Sequence, residues 1–246
     1  MLGIVPCLDI QEGKVVKGVQ FADLAVMGDP LERAQRYAEQ GADMLAMLDI
    51  TATVEGRETF YDLVSAVRER ISMPLLVGGG LKDIEGMRRV RTSGADLFSV
   101  GSRAVEDPEL IAEAARIFGS EHVVVAVDAT WDEEVGTWVV VIRGGRQKTP
   151  HRALDFAKLM EEKGAGMILL TSMDQDGRRD GYDLPLTQAV AQAVDIPVIA
   201  SGGAGRIEHF IELERHTKAR YALAASVFHR GELTVDAIKQ ALRTAS

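Results

Sequence analysis

Two aspartates at the ends of apolar runs are the residues best placed to do chemistry in this chain. Val5-Pro6-Cys7-Leu8-Asp9-Ile10 delivers one carboxylate, and half a chain later Val124-Val125-Ala126-Val127-Asp128-Ala129 delivers another. Each run reads as a strand, and two such strands in one sheet aim two acids at one place. A strand-end aspartate taken singly is more often a helix cap or a buried hydrogen-bond partner. Two at equivalent ends favour general acid–base catalysis, because an ionised carboxylate accepts a proton and a neighbour kept protonated by burial or like charge donates one.

Glycine clusters flank this pair. Gly78-Gly79-Gly80 and Gly202-Gly203-Ala204-Gly205 each close an apolar run, and Gly101-Ser102 and Ala225-Ser226 each close the next. Glycine lets backbone N–H groups approach an anion closely, and serine adds a hydroxyl. A GGG triplet alone also suits a tight turn, but its repetition favours two phosphate sites and a ligand with a phosphate at each end. The candidate ligand-binding residues are Lys17, Asp49, Gly79, Gly80, Gly101, Ser102, Thr171, Asp176, Gly177, Gly202, Gly203, Ala225 and Ser226. Ser172 and Asp174 are expected on the same strand ends or loops. Lys17 equally suits an exposed structural lysine, and Arg178-Arg179 a solvated loop face. His209 and His229 fit caps or packing better than ligand contact, and His122, His151 and His216 read as peripheral.

The elements that must position these residues are legible as a pattern. Short runs rich in Val, Ile, Leu and Met alternate with longer amphipathic stretches, as in repeated βα units around a parallel sheet. Eight strands are predicted, near 4–9, 44–50, 74–78, 96–100, 122–128, 167–172, 196–200 and 220–225. Asp29-Pro30 and Asp107-Pro108 each read as an acidic cap with a proline opening a helix. Pro74-Leu75-Leu76-Val77-Gly78-Gly79-Gly80 repeats as Pro197-Val198-Ile199-Ala200-Ser201-Gly202-Gly203, so two fourfold halves, 1–121 and 122–246, build one α/β domain, a (β/α)8 TIM barrel spanning 1–246. A doubly wound open sheet is the alternative, and it would not need this repeat. Two connections are long: Gln11 to Asp29, a candidate lid or surface decoration, and Trp131 to Pro150, a hairpin excursion packed by Trp131 and Trp138.

Composition narrows the partners. The 246 residues carry 46% hydrophobic content and a formal charge of −9, without a Lys/Arg cluster, which argues against nucleic acid or an anionic membrane. Any phosphate must be held by local donors against an acidic surface. No run approaches the roughly 18 apolar residues of a membrane span, and no leader pattern opens the chain, so a cytoplasmic protein is expected. The single Cys7 reads as a buried thiol, and no spacing of His, Cys and acids suggests a metal; no cofactor is expected.

Longer motifs carry a resemblance. Pro6-Cys7-Leu8-Asp9, Lys14-Val15-Val16-Lys17-Gly18, Leu48-Asp49-Ile50-Thr51-Ala52, Val77-Gly78-Gly79-Gly80, Leu169-Leu170-Thr171-Ser172-Met173-Asp174, Gly181-Tyr182-Asp183, Ala200-Ser201-Gly202-Gly203-Ala204-Gly205-Arg206 and Ala224-Ala225-Ser226-Val227-Phe228-His229 together resemble the cyclase subunit of imidazole glycerol phosphate synthase over nearly the whole chain. The sister isomerase of histidine biosynthesis shares the repeat and paired aspartates but not the Cys-Leu-Asp and Ser-Gly-Gly-Ala-Gly wording. The resemblance implies an ammonia-dependent lyase/cyclase acting on phosphoribulosyl-formimino aminoimidazole carboxamide ribotide, with Asp9 and Asp128 as the acid/base pair and the glycine and serine clusters on the phosphates. It also implies a glutaminase subunit docked on the N-terminal face and ammonia passing through the barrel. The family's ring of Arg, Glu, Lys and Glu at that entrance is replaced here by Gly3, Met44, Leu97 and Met167, and its first-loop pattern by Gln20 and Ala25-Val26. Lys218-Ala219-Arg220 also departs from the family's Gly-Ala-Asp. A divergent paralogue acting on another sugar phosphate and a non-catalytic phosphometabolite-binding barrel are the competing readings.

Overall fold

Runs that are apolar on both faces become strands covered on both faces. In the computed structural model, Val123, Val124, Val125 and Val127 are fully buried, as are Leu75, Leu76 and Val77. The structure describes residues 1–19, 22–50 and 54–245, of which 17–19, 22–27, 54–57 and 59 are described by their backbone alone. The expectations for Gln20, Thr51 and Ala52, and for the side chains of Lys17, Ala25 and Val26, lie outside the described residues. No helix among the described residues is long and apolar enough to cross a membrane.

The described residues form twelve strands: β1 (Gly3–Gln11), β2 (Lys14–Val19), β3 (Ala22–Gly28), β4 (Leu45–Asp49), β5 (Leu75–Gly78), β6 (Leu97–Val100), β7 (Val123–Asp132), β8 (Thr137–Ile142), β9 (Gln147–Arg152), β10 (Met167–Ser172), β11 (Val198–Ser201) and β12 (Tyr221–Ala224). Eight of them pair in parallel in the order β1-β4-β5-β6-β7-β10-β11-β12, and β12 pairs with β1 to close the ring. Closure removes both sheet edges, and helices cover the outside. The eight barrel strands are the eight expected, displaced at their ends by a few residues. Because β1 and β7 are four strands apart in either direction, their C-terminal aspartates stand on opposite sides of the barrel mouth.

The inward side chains form their own apolar column of Val5, Cys7, Met44, Ala46, Leu76, Leu97, Val124, Met167, Leu169, Ile199 and Leu223. A separate and larger cluster fills the space between strands and helices. At the N-terminal end of the column Met44, Leu97 and Met167 are buried, and a side chain at Gly3 would collide with the ring of Tyr221, which packs against the column. Absence of all four ring charges leaves no unpaired charge behind.

Two local expectations are corrected, and one gains detail. The Gln11 to Asp29 connection carries paired strands: β2 and β3 form an antiparallel ribbon alongside β1, with Asp9 opposite Val16 and Val15 opposite Gly28. The Trp131 to Pro150 excursion has three strands rather than two, since β7 itself runs on to Asp132 before β8 and β9; Trp131 and Trp138 do pack, with ring centroids 5.0 Å apart. Asp29 caps its helix through Leu31 and Glu32 N–H, but Asp107 does not cap the helix Glu109–Phe118, because its carboxylate binds Arg103 at 3.0 Å. A guanidinium one turn back outcompetes the backbone for that carboxylate.

Candidate active site

The C-terminal ends of the barrel strands converge on a cavity of about 780 Å³. Asp9, Asp49, Gly79, Gly80, Gly101, Ser102, Asp128, Thr171, Asp176, Gly177, Gly202, Gly203, Ala225 and Ser226 all line it. Of the candidate residues only Lys17, on the β1–β2 ribbon, cannot be placed by its side chain.

Backbone geometry explains the glycines. Gly79 has φ +100° and lies so close to the Asp49 carbonyl that no β-carbon would fit. Gly202, at φ +93°, would put a β-carbon 2.8 Å from the Ser172 carbonyl oxygen. At both positions a left-handed backbone packs so closely on a neighbouring strand end that only glycine fits. Gly203 is held against Gly181, whose N–H donates to the Gly203 carbonyl at 2.8 Å.

The two acids differ in surroundings. Asp9 is buried, and the Cys7 thiol donates to its Oδ1 at 3.6 Å. Asp128 pairs in register with Thr171 across β7 and β10. Burial pushes its carboxyl up to about 6, the charge of Asp176 adds to the rise, and the Thr171 hydroxyl bonded to it opposes both. A carboxyl so placed exchanges its proton close to neutrality, as a general acid or base requires.

Other polar groups act as scaffolding. Asp174 accepts from Thr130 Oγ1 at 2.5 Å and from the Trp131 N–H at 2.7 Å, and Ser172 Oγ donates to Asp183 at 2.9 Å. His209 is a buried cap: its Nδ1 accepts from the N–H groups of Gly205 and Arg206 at 3.0 and 3.3 Å. Burial, reinforced by the Arg206 charge, lowers its proton affinity and keeps it neutral. His229 packs inside, with Nδ1 2.8 Å from the Tyr37 hydroxyl. His122, His151 and His216 do not line the cavity. Arg179 reaches the mouth but is ion-paired to Glu232, while Arg178 is exposed.

Sequence reasoning missed Lys82 and Arg103, which line the cavity beside the first glycine–serine cluster, and Gly144, which reaches it from the β8–β9 turn. The first two follow Gly80 and Ser102 closely and could have been read from position. Gly144 gave no local signal, because what brings it to the mouth is the fold of the three-stranded excursion.

Comparison with known proteins agrees with this geometry. A family model described as "Histidine biosynthesis protein" matches residues 3–234. The protein named "Imidazole glycerol phosphate synthase subunit HisF" from Lysinibacillus sphaericus (strain C3-41) is 51% identical over 241 residues, covering 98% of this chain and 95% of its own length. Proteins of the same name from Halalkalibacterium halodurans and Geobacillus thermodenitrificans are 51% and 49% identical over 240 residues, with the same coverage. The closed parallel barrel, the paired strand-end acids and this full-length similarity converge: the chain belongs to the histidine biosynthesis protein family.

Proposed function

We infer that this chain is the cyclase subunit of an imidazole glycerol phosphate synthase, a lyase/cyclase of histidine biosynthesis acting in the cytoplasm. It uses ammonia to convert phosphoribulosyl-formimino aminoimidazole carboxamide ribotide into imidazole glycerol phosphate and aminoimidazole carboxamide ribotide. The observation that carries the reading is the joint lining of one mouth by Asp9, Asp128 and both glycine–serine clusters. The two phosphates sit on Gly79, Gly80, Gly101 and Ser102 at one side and on Gly177, Gly202, Gly203, Ala225 and Ser226 at the other. That span holds the reacting centre between the two aspartates, which move the protons of ring closure and bond cleavage. Asp49, Thr171 and Asp176 hold polar groups of the substrate near them, and Lys17 approaches from the ribbon. The residues 1–246 act as one domain of two half-barrels, 1–121 and 122–246.

The relatives' name, a synthase subunit, supports a second subunit, and a glutaminase docked at the N-terminal face would supply the ammonia. Single-enzyme turnover of the ribotide with ammonium salt at alkaline pH tests the chemistry, with Asp128→Asn as the blank. Ammonia-dependent product formation supports the reading. A folded protein that binds the ribotide without turning it over overturns it.

A further inference from the structure

The β8–β9 connection is a four-residue turn, Arg143-Gly144-Gly145-Arg146, closed by the pair Ile142 and Gln147. Three successive residues in it are left-handed: Arg143 at φ +57°, Gly144 at +67° and Gly145 at +80°. A β-carbon in that region is strained by about 1 kcal/mol, so the conformation at Arg143 is held by its surroundings. Those surroundings are the mouth. The Arg143 N–H donates to the hydroxyl of Ser102 at 3.1 Å, Gly144 lines the cavity, and Gly145 lies so close to the Met173 side chain, also cavity-lining, that a β-carbon there would come within 2.7 Å of its methyl group.

The two glycine–serine clusters differ in the pairing of the arginines near them. Near the second glycine–serine cluster Arg179 is neutralised by Glu232. Over the first, Arg143 and Arg146 are exposed and make no ion pair among the described residues. A chain with a formal charge of −9 keeps two guanidiniums without an ion pair among the described residues on a turn that touches Ser102.

We propose that the Arg143–Arg146 turn caps the first phosphate site, with the Arg143 guanidinium binding the substrate phosphate seated on Gly79, Gly80, Gly101 and Ser102. The proposal rests on the two-phosphate reading above and deepens it. The cap adds a cationic group to the end of the mouth that holds Ser102. Because the guanidinium meets a phosphate rather than the reacting atoms, its contribution is to binding.

The test pairs kinetics with a binding measurement that does not depend on turnover. Arg143→Ala should raise KM for the ribotide about tenfold or more with kcat held within about twofold, as loss of one charge-assisted phosphate contact requires. Arg143→Lys should recover part of that loss, and Arg116→Ala, on an outer helix, should change nothing. Titration with inorganic phosphate should show two sites in the parent and one of them weakened about tenfold in Arg143→Ala. Unchanged phosphate affinity and KM in a folded Arg143→Ala would overturn the cap while leaving the cyclase reading intact. Weakened phosphate binding in a chain whose parent turns nothing over would support the cap and remove the reaction instead.

Discussion

The carboxylate of Asp174 accepts a hydrogen bond from the hydroxyl of Thr130 at 2.5 Å, fastening the loop after β10 to the end of β7. Asp128 lies two residues before Thr130, and Asp176 two residues after Asp174. The latch therefore ties together the strand end and loop that carry Asp128 and Asp176, whose repulsion adds to the burial that raises the Asp128 pKa. Asp174→Ala should lower kcat about tenfold or more through lost positioning, and should move the Asp128-dependent limb of the pH–rate profile. Thr130→Val removes one of the two bonds and should cost less, and the double variant should be no worse than Asp174→Ala alone. Strict additivity in steady-state kinetics would show that the two residues do not work together.

Asp128 should trade stability for activity. Its folded-state pKa is raised from 3.8 to about 6, so the folded protein holds that proton more tightly than the unfolded chain does. The associated stability is complete below pH 3.8 and is lost as pH rises through 6. Asp128→Asn cannot ionise, and should lose about 10²- to 10⁴-fold in kcat while gaining on the order of 2–3 kcal/mol of stability at pH 8. Thermal melts across pH would show that gain shrinking between pH 6 and 4; a gain independent of pH would contradict the assignment. Asp9→Asn should likewise abolish turnover and retain phosphate binding.

Gly79→Ala should be costly for two separable reasons. The residue sits at φ +100°, and its β-carbon would meet the Asp49 backbone. A destabilisation of about 2–4 kcal/mol is expected, against about 1 kcal/mol for Gly136→Ala, which shares a positive φ of 68° but opens onto free space. Equal losses in denaturant titrations would mean that backbone approach contributes nothing.

His209 should matter most at neutral and alkaline pH. Its folded-state pKa lies below the ordinary 6.5, so the stability it provides is present above 6.5 and is lost as pH falls through the lowered value. His209→Ala removes the acceptor for the Gly205 and Arg206 amides and should cost about 1–3 kcal/mol at pH 8, with a rise in KM as the adjoining glycine loop loosens. The gap between parent and variant should narrow on acidification, which melting curves at pH 5 and 8 would reveal.

Much of this molecule could be read before it was seen, for physical reasons that also mark the boundary. The eight barrel strands announce themselves because a strand buried on both faces must be apolar throughout, and the duplicated Gly79 and Gly202 because no other residue fits their turns. The β2–β3 ribbon was hidden: Lys14-Val15-Val16-Lys17 is too short and too polar to distinguish a paired strand from a loop. Asp107 misled because a cap and a salt bridge call for the same residue, and only the position of Arg103 decides between them. The Asp174 latch and the contact of the Arg143 turn with Ser102 were beyond reach, since both join segments more than 40 residues apart.

The ring of Tyr221 over Gly3 gives the far end of the barrel an unusual independence from its solvent. Met44, Leu97, Met167 and Tyr221 bring no charged side chain into this end of the column for salt to screen. A bare ion placed among these side chains would be prohibitively expensive. Packing at this end is accordingly a matter of side-chain shape and methyl-group volume rather than of buffer composition.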